Sequence, residues 1–310
     1  MPLERHVKRF LDLLSAGNPP DARSISVEER RQGLAALMKL GGPEIAVGRV
    51  EDRTLPGPGG ALPVRIYSPP NAEGTLPALI YFHGGGLVAG SVATHDAIAR
   101  ALANSGAVRV ISVEYRLAPE HRFPAALQDA MAAVQNVSTR PAEFAIDASR
   151  VGVCGDSAGG TLVAATCQAL ARSAGPRLAL QLLICPILDY SRETPSKRAL
   201  AKGYLIDQAT LDHDLLHYLP EGTDPRDPLI SPLLADEVAG LPRTIIHTAE
   251  FDPLCDEGRY YFERLQRANI EVSYTCHPGM IHLFYGLGAV IPYARKAFEQ
   301  IGSEIRAALA

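Results

Sequence analysis

Apolar positions along this chain follow two periods in turn, and the switches between them divide it into elements. Residues 3–16 and 26–40 carry amphipathic helical patterns, separated by a loop containing Pro19-Pro20. Ser26 followed by Glu29 is a capping-box signature for the second helix, and Gly41-Gly42-Pro43 ends it. Strand patterns begin near residue 46: segments 47–53 and 62–67 flank Pro56-Gly57-Pro58-Gly59-Gly60, which predicts a hairpin loop. Segment 77–82 is continuously apolar, as in a central strand buried on both faces, and ends in His83-Gly84-Gly85-Gly86. A helix at 95–105, a strand at 109–115 and a helix at 124–138 follow.

Val151 and Val153 then alternate with small residues in a short strand, the chain turns through Gly155-Asp156-Ser157, and 161–171 reads as a helix packed on a sheet. Segment 178–185 is another buried strand. Residues 186–240 hold no clear strand, only a helical stretch near 208–218 and several prolines. That is too long for an ordinary connection and predicts a cap or lid. The strand 243–248, a helix at 256–268, the strand 271–276 and a closing helix at 290–308 complete the series. Strands alternating with helices after an opening hairpin predict an α/β fold with a mostly parallel, doubly wound sheet of eight strands. The expected organisation is a leading helical pair (1–45) packed onto the main domain from outside, a core in two parts (46–185 and 241–310) and a cap insertion (186–240).

Composition narrows the functional classes. With 310 residues, 47% of them hydrophobic and 21% charged, the chain matches one large α/β domain of a globular enzyme. A formal net charge of −4 leaves no basic footprint for nucleic acid or an anionic membrane surface. The first fourteen residues carry Glu4, Arg5, Lys8, Arg9 and Asp12 and so lack the apolar core of a signal peptide, and no apolar run is long enough to span a bilayer. The five cysteines (154, 167, 185, 255 and 276) are scattered, without C-x-x-C spacing and mostly in apolar strands or helices, which predicts buried free thiols rather than disulfides or a metal site, in a reducing cytoplasm. A homodimer is compatible with the sequence but not specified by it.

Gly155-Asp156-Ser157-Ala158-Gly159 fits the G-x-S-x-G elbow, in the strand–turn–helix context that the motif requires. A serine hydroxyl needs a base to take its proton, a carboxylate to orient that base, and donors for the oxyanion formed on acyl attack. Asp252 follows the strand 243–248, with Asp256 and Glu250 as rival carboxylates. His282 lies beyond the last strand, where Pro278-Gly279 should break the strand and let His282 turn back toward the elbow; His277 is the alternative base. His83–Gly86 lacks the Lys-Ser/Thr of a phosphate loop, and its consecutive glycines suit close approach by a carbonyl. Gly84 and Gly85 amides, with that of Ala158, form the expected oxyanion hole. This chemistry calls for neither a metal nor an organic cofactor.

The chain resembles the hormone-sensitive-lipase group of α/β-hydrolases, the bacterial family IV carboxylesterases. The resemblance rests on His83–Gly86, Glu114-Tyr115-Arg116-Leu117-Ala118-Pro119-Glu120, Phe123-Pro124-Ala125 with Asp129, the Gly155–Gly160 elbow, Asp252-Pro253-Leu254 with Asp256-Glu257-Gly258, and Gly279-Met280-Ile281-His282. It implies a Ser157–Asp252–His282 triad, oxyanion donors at Gly84, Gly85 and Ala158, and a cap built from the N-terminal helices and 186–240. The expected activity is a serine carboxylesterase acting through an acyl-enzyme. The absence of Trp and the eight Phe suggest a modest apolar pocket, hence short to medium acyl chains. Amide or lactone hydrolysis by the same triad is the alternative. A ligand-binding receptor on the same fold is disfavoured by the presence of His282.

Overall fold

The computed structural model describes residues 2–17, 20–173 and 175–310; Pro19 of the expected N-terminal loop lies outside them. Eight strands form one sheet in the order β1-β2-β4-β3-β5-β6-β7-β8. They are β1 (Arg49–Gly57), β2 (Gly60–Ser68), β3 (Leu76–Phe82), β4 (Arg109–Val113), β5 (Ile146–Asp156), β6 (Leu180–Ile184), β7 (Arg243–Phe251) and β8 (Val272–Ile281). β1 pairs antiparallel with β2, and β2 with β4; every other pairing is parallel. The helices are α1 (Arg5–Ala16), α2 (Val27–Met38), α3 (Asp96–Gly106), α4 (Ala125–Thr139), α5 (Ala158–Ala171), α6 (Pro195–Ala199), α7 (Gln208–Tyr218), α8 (Cys255–Arg267) and α9 (Tyr293–Ala308).

Burial on both faces explains why the central strands read as unbroken apolar runs. On one face Ile80, Phe82 and Val153 pack with Ala130 and Val134 of α4, Leu162 of α5 and Tyr261 of α8. On the other, Leu79, Tyr81 and Leu182 pack with Ile98 and Leu102 of α3 and Ile301 and Ile305 of α9. α1 and α2 join this second face through Val7, Phe10, Leu34 and Met38. The α2 capping box is present, with Ser26 Oγ and Glu29 each bonding the other's backbone N–H.

Two expectations are corrected, for the same physical reason. The five-residue hairpin loop is a two-residue turn, because Pro56 continues β1 and Gly57 pairs with Gly60. Pro278-Gly279 does not end the last strand either: β8 runs through both to Ile281, with a register shift between Ala249 and Phe251 of β7. β1 and β8 are the two edges of the sheet, where the missing proline N–H has no ladder partner to lose. Gly279 takes φ +73°, and its N–H goes sideways to Glu250 Oε2 at 2.8 Å. The chain therefore reaches His282 along a strand rather than through a loop. No helix among the described residues is long and apolar enough to cross a membrane.

Candidate active site

The groups expected to react stand at the C-terminal ends of four of the five consecutive strands β3-β5-β6-β7-β8, where open α/β sheets gather their ligand sites. Ser157 directly follows β5, Asp252 follows β7, His282 follows β8, and His83–Gly86 follows β3. Ser157 sits at φ 52°, ψ −121°, a strained backbone for a residue with a Cβ, and its N–H is held by Ile184 O at 2.9 Å. Gly159 permits this turn, since a Cβ there would strike the carbonyl oxygen of Phe82.

His282 bridges the other two side chains. Its Nδ1 lies 2.8 Å from Asp252 Oδ2, and its Nε2 lies 3.0 Å from Ser157 Oγ. A carboxylate only accepts, so Nδ1 carries the hydrogen and Nε2 is left to accept from the serine hydroxyl. Asp252 is held in turn by the Leu254 N–H, 2.9 Å from Oδ1. Asp252 is 0% exposed, His282 4% and Ser157 7%, so the contacts lie in a dry site where electrostatics are strong.

The rival groups are occupied elsewhere. His277 Nε2 is 3.0 Å from His247 Nδ1, its Nδ1 is 3.2 Å from Tyr293 OH, and burial pushes its pKa down to about 3. Asp256 accepts from the Ser196 N–H at 2.8 Å and pairs with Arg259. Glu250 holds the Gly279 N–H.

The glycine loop differs from expectation in one respect. The Gly84 N–H, one of the expected oxyanion donors, donates to Asp156 Oδ1 at 3.1 Å. Among the described residues, the N–H groups of Gly85, Gly86 and Ala158 have no acceptor. Which amides a glycine run leaves open depends on its φ values, here +117° at Gly85 and +68° at Gly86, and residue identity does not encode them.

Asp156 is the fully buried anchor of that loop. Besides the Gly84 N–H, it accepts from Tyr81 OH at 2.5 Å and Tyr285 OH at 3.3 Å, and burial raises its pKa. Tyr115 holds the loop from the other side: its OH donates to His83 O at 2.6 Å and its ring stacks on His83. Asp156→Ala would leave three donors buried without an acceptor. The expected result is a stability loss of about 3 kcal/mol in urea denaturation, after the relief of carboxylate desolvation, and a fall in kcat of roughly tenfold or more as the loop loses its anchor.

A family model described as the alpha/beta hydrolase fold matches residues 79–286, which span the glycine loop, the elbow, Asp252 and His282. The chain belongs to the hormone-sensitive-lipase-like α/β-hydrolases. This α/β-hydrolase is 36% identical over 288 residues to an arylesterase of Saccharolobus solfataricus, covering 92% of this chain and 93% of the relative. It is 40% identical over 254 residues to the carboxylesterase NlhH of Mycobacterium tuberculosis, covering 80% and 79%. It superposes with TM-score 0.95, at 39% identity and 98% coverage of both chains, on the ester-hydrolase EH1AB1 from the metagenome of Lake Arreo, solved with a bipyridine phosphonate derivative.

Two features of the hydrolase site carry no local sequence signal. Arg30 of α2 makes a bidentate pair with Asp214 of α7, at 3.0 and 2.8 Å, and a Cβ on Gly86 would collide with that Asp214 carboxylate. Arg31 bonds Val88 O and Ala118 O and pairs with Glu120. α2 is thus fastened to the glycine loop and α7 lies against it. The second feature is Cys185, which directly follows β6 and whose Sγ gathers with Asp252 and His282 ligand atoms within 4.8 Å of one another. That trio could hold a soft metal ion only by breaking the Asp252–His282 bond.

Proposed function

We propose that this α/β-hydrolase is a serine carboxylesterase that hydrolyses small-molecule esters of short to medium acyl chains through an acyl-enzyme. The observation that carries the reading is the buried bridge of His282, 2.8 Å from Asp252 and 3.0 Å from Ser157. The relatives' names support the ester as substrate class and give no support to an amide or lactone.

In this mechanism His282 Nε2 takes the Ser157 proton as Oγ attacks the ester carbonyl. The new oxyanion is held by the amides of Gly85, Gly86 and Ala158, each worth about 3 kcal/mol in the transition state. Gly84 is replaced in this role by Gly86, because its N–H is committed to Asp156. Placement of Ala158 as the first residue of α5 adds the positive end of a helix to the donors. His282 then protonates the departing alcohol, and a water activated by the same nitrogen releases the acid. Asp252 keeps the imidazole in the required tautomer and stabilises its cation.

The cap comprises 1–45 and 186–240 over the core 46–185 and 241–310. Its position is supported by the Arg30–Asp214 pair beside Gly86. A cytoplasmic location is supported by the scattered cysteines, and the net charge of −4 gives no reason to expect a polyanionic partner. Initial rates on p-nitrophenyl esters from acetyl to palmitoyl test the substrate reading, with matched anilides alongside. Turnover is expected to be highest between acetyl and octanoyl. Faster turnover of the anilides, or a maximum at palmitoyl, would overturn it.

A further inference from the structure

The five cysteines fall into two groups. Cys154, Cys167 and Cys185 are buried, whereas Cys255 is half-buried and Cys276 is exposed. The last two face each other with Sγ atoms 3.9 Å apart, in van der Waals contact and unbonded. Cys255 opens α8, and its N–H is held by Asp252 O at 3.0 Å. Cys276 lies in β8, directly opposite Thr248 of β7, one residue before His277 and on the strand that delivers His282. Thr248 Oγ1 and Tyr274 OH stand 3.7 and 3.8 Å from Cys255 Sγ, so hydroxyl groups surround the two sulfurs.

We propose that Cys255 and Cys276 form a reversible dithiol–disulfide site, closed by small-molecule disulfides and bridging the segments that carry Asp252 and His282. The accessible Cys276 thiolate attacks one sulfur of the small disulfide, forming a mixed disulfide and expelling one thiolate. Cys255 then attacks the Cys276 sulfur, its proton leaving with the second small thiol. Counted from the two thiols, the protein loses two electrons and two protons: the proton Cys276 released on ionising is taken up by the expelled thiolate, and the small disulfide becomes two thiols. Hydrogen bonding from Cys255 lowers the Cys276 pKa to about 6 and raises that of Cys255, which assigns attack to Cys276 and resolution to Cys255. The two positions are far enough apart in sequence for a bond between them to constrain the unfolded chain appreciably.

The test treats the intact reduced protein with glutathione disulfide, then alkylates the remaining thiols in denaturant at low pH and maps the peptides by mass spectrometry. Expected are a fall from five alkylated cysteines to three, a single 255–276 cross-linked peptide, recovery of all five with dithiothreitol, and a melting temperature higher by roughly 5 °C in the oxidised form. Cys255→Ser should stop at a glutathione adduct on Cys276, and Cys276→Ser should not react. A stable glutathione adduct on wild-type Cys276 without the cross-link would overturn the proposal, as would retention of five free thiols. These readouts do not use ester hydrolysis, so they stand or fall apart from the catalytic assignment.

Discussion

Ser157→Ala protein is expected to fold as the wild type does and to lose ester turnover by at least about 10⁴-fold. The size follows from the role: without Oγ no acyl-enzyme forms, and only binding and the oxyanion donors remain to assist attack by water. The fold should survive because alanine tolerates φ 52° no worse than serine, and the change removes one hydrogen bond, to His282. A melting temperature within about 2 °C of wild type, with turnover at background, is the expected pair of results. Fluorophosphonate labelling gives an independent check. The wild type should take one label, at Ser157, and the variant none. A wild type that takes no label there would mean binding without catalysis.

His282→Ala is the second large effect, expected to approach the Ser157→Ala loss, whereas His277→Ala should keep activity within about tenfold of wild type. The contrast rests on geometry, since the two histidines sit five positions apart yet contact different groups. His277 belongs to a buried cluster with His247 and Tyr293, and His247 Nε2 continues to Glu304 at 2.8 Å. Its own signature is in stability rather than rate. With a folded-state pKa of about 3 against an ordinary value of 6.5, the unfolded chain binds the proton more readily. Stability from this group is therefore fully present above about pH 6.5 and is lost as the pH falls toward 3. Urea denaturation across that window should show a weaker pH dependence in His277→Ala than in wild type. Reversed rate effects at the two positions would move the base assignment to His277.

The meeting of Ser157, Asp252 and His282 is legible in the sequence because each follows its own apolar strand, and parallel strands bring their C-terminal ends to one edge. The continuous run 77–82 and the alternation at 151–153 place the glycine loop and the elbow by the same logic. What escapes is set by backbone direction and by long-range pairing. The choice between Gly84 and Gly86 as oxyanion donor depends on where Asp156 sits across the sheet, a tertiary fact with no local pattern. Pro278-Gly279 reads as a strand breaker until β8 is known to be an edge, where a proline costs the ladder nothing. The glycine-rich turn after β1 is shorter than its sequence predicts for the same reason, Pro56 being tolerated in an edge strand. Arg30 and Asp214 lie in helices whose charges, read singly, look like solvated surface.

Because Arg30 and Asp214 come from segments nearly two hundred positions apart, the 186–240 segment is not a transferable cassette. A chimera that imported this segment from another family member without its matching α2 would strand one largely buried charge of the pair beside the glycine loop. Recombination in this protein has to carry both segments together.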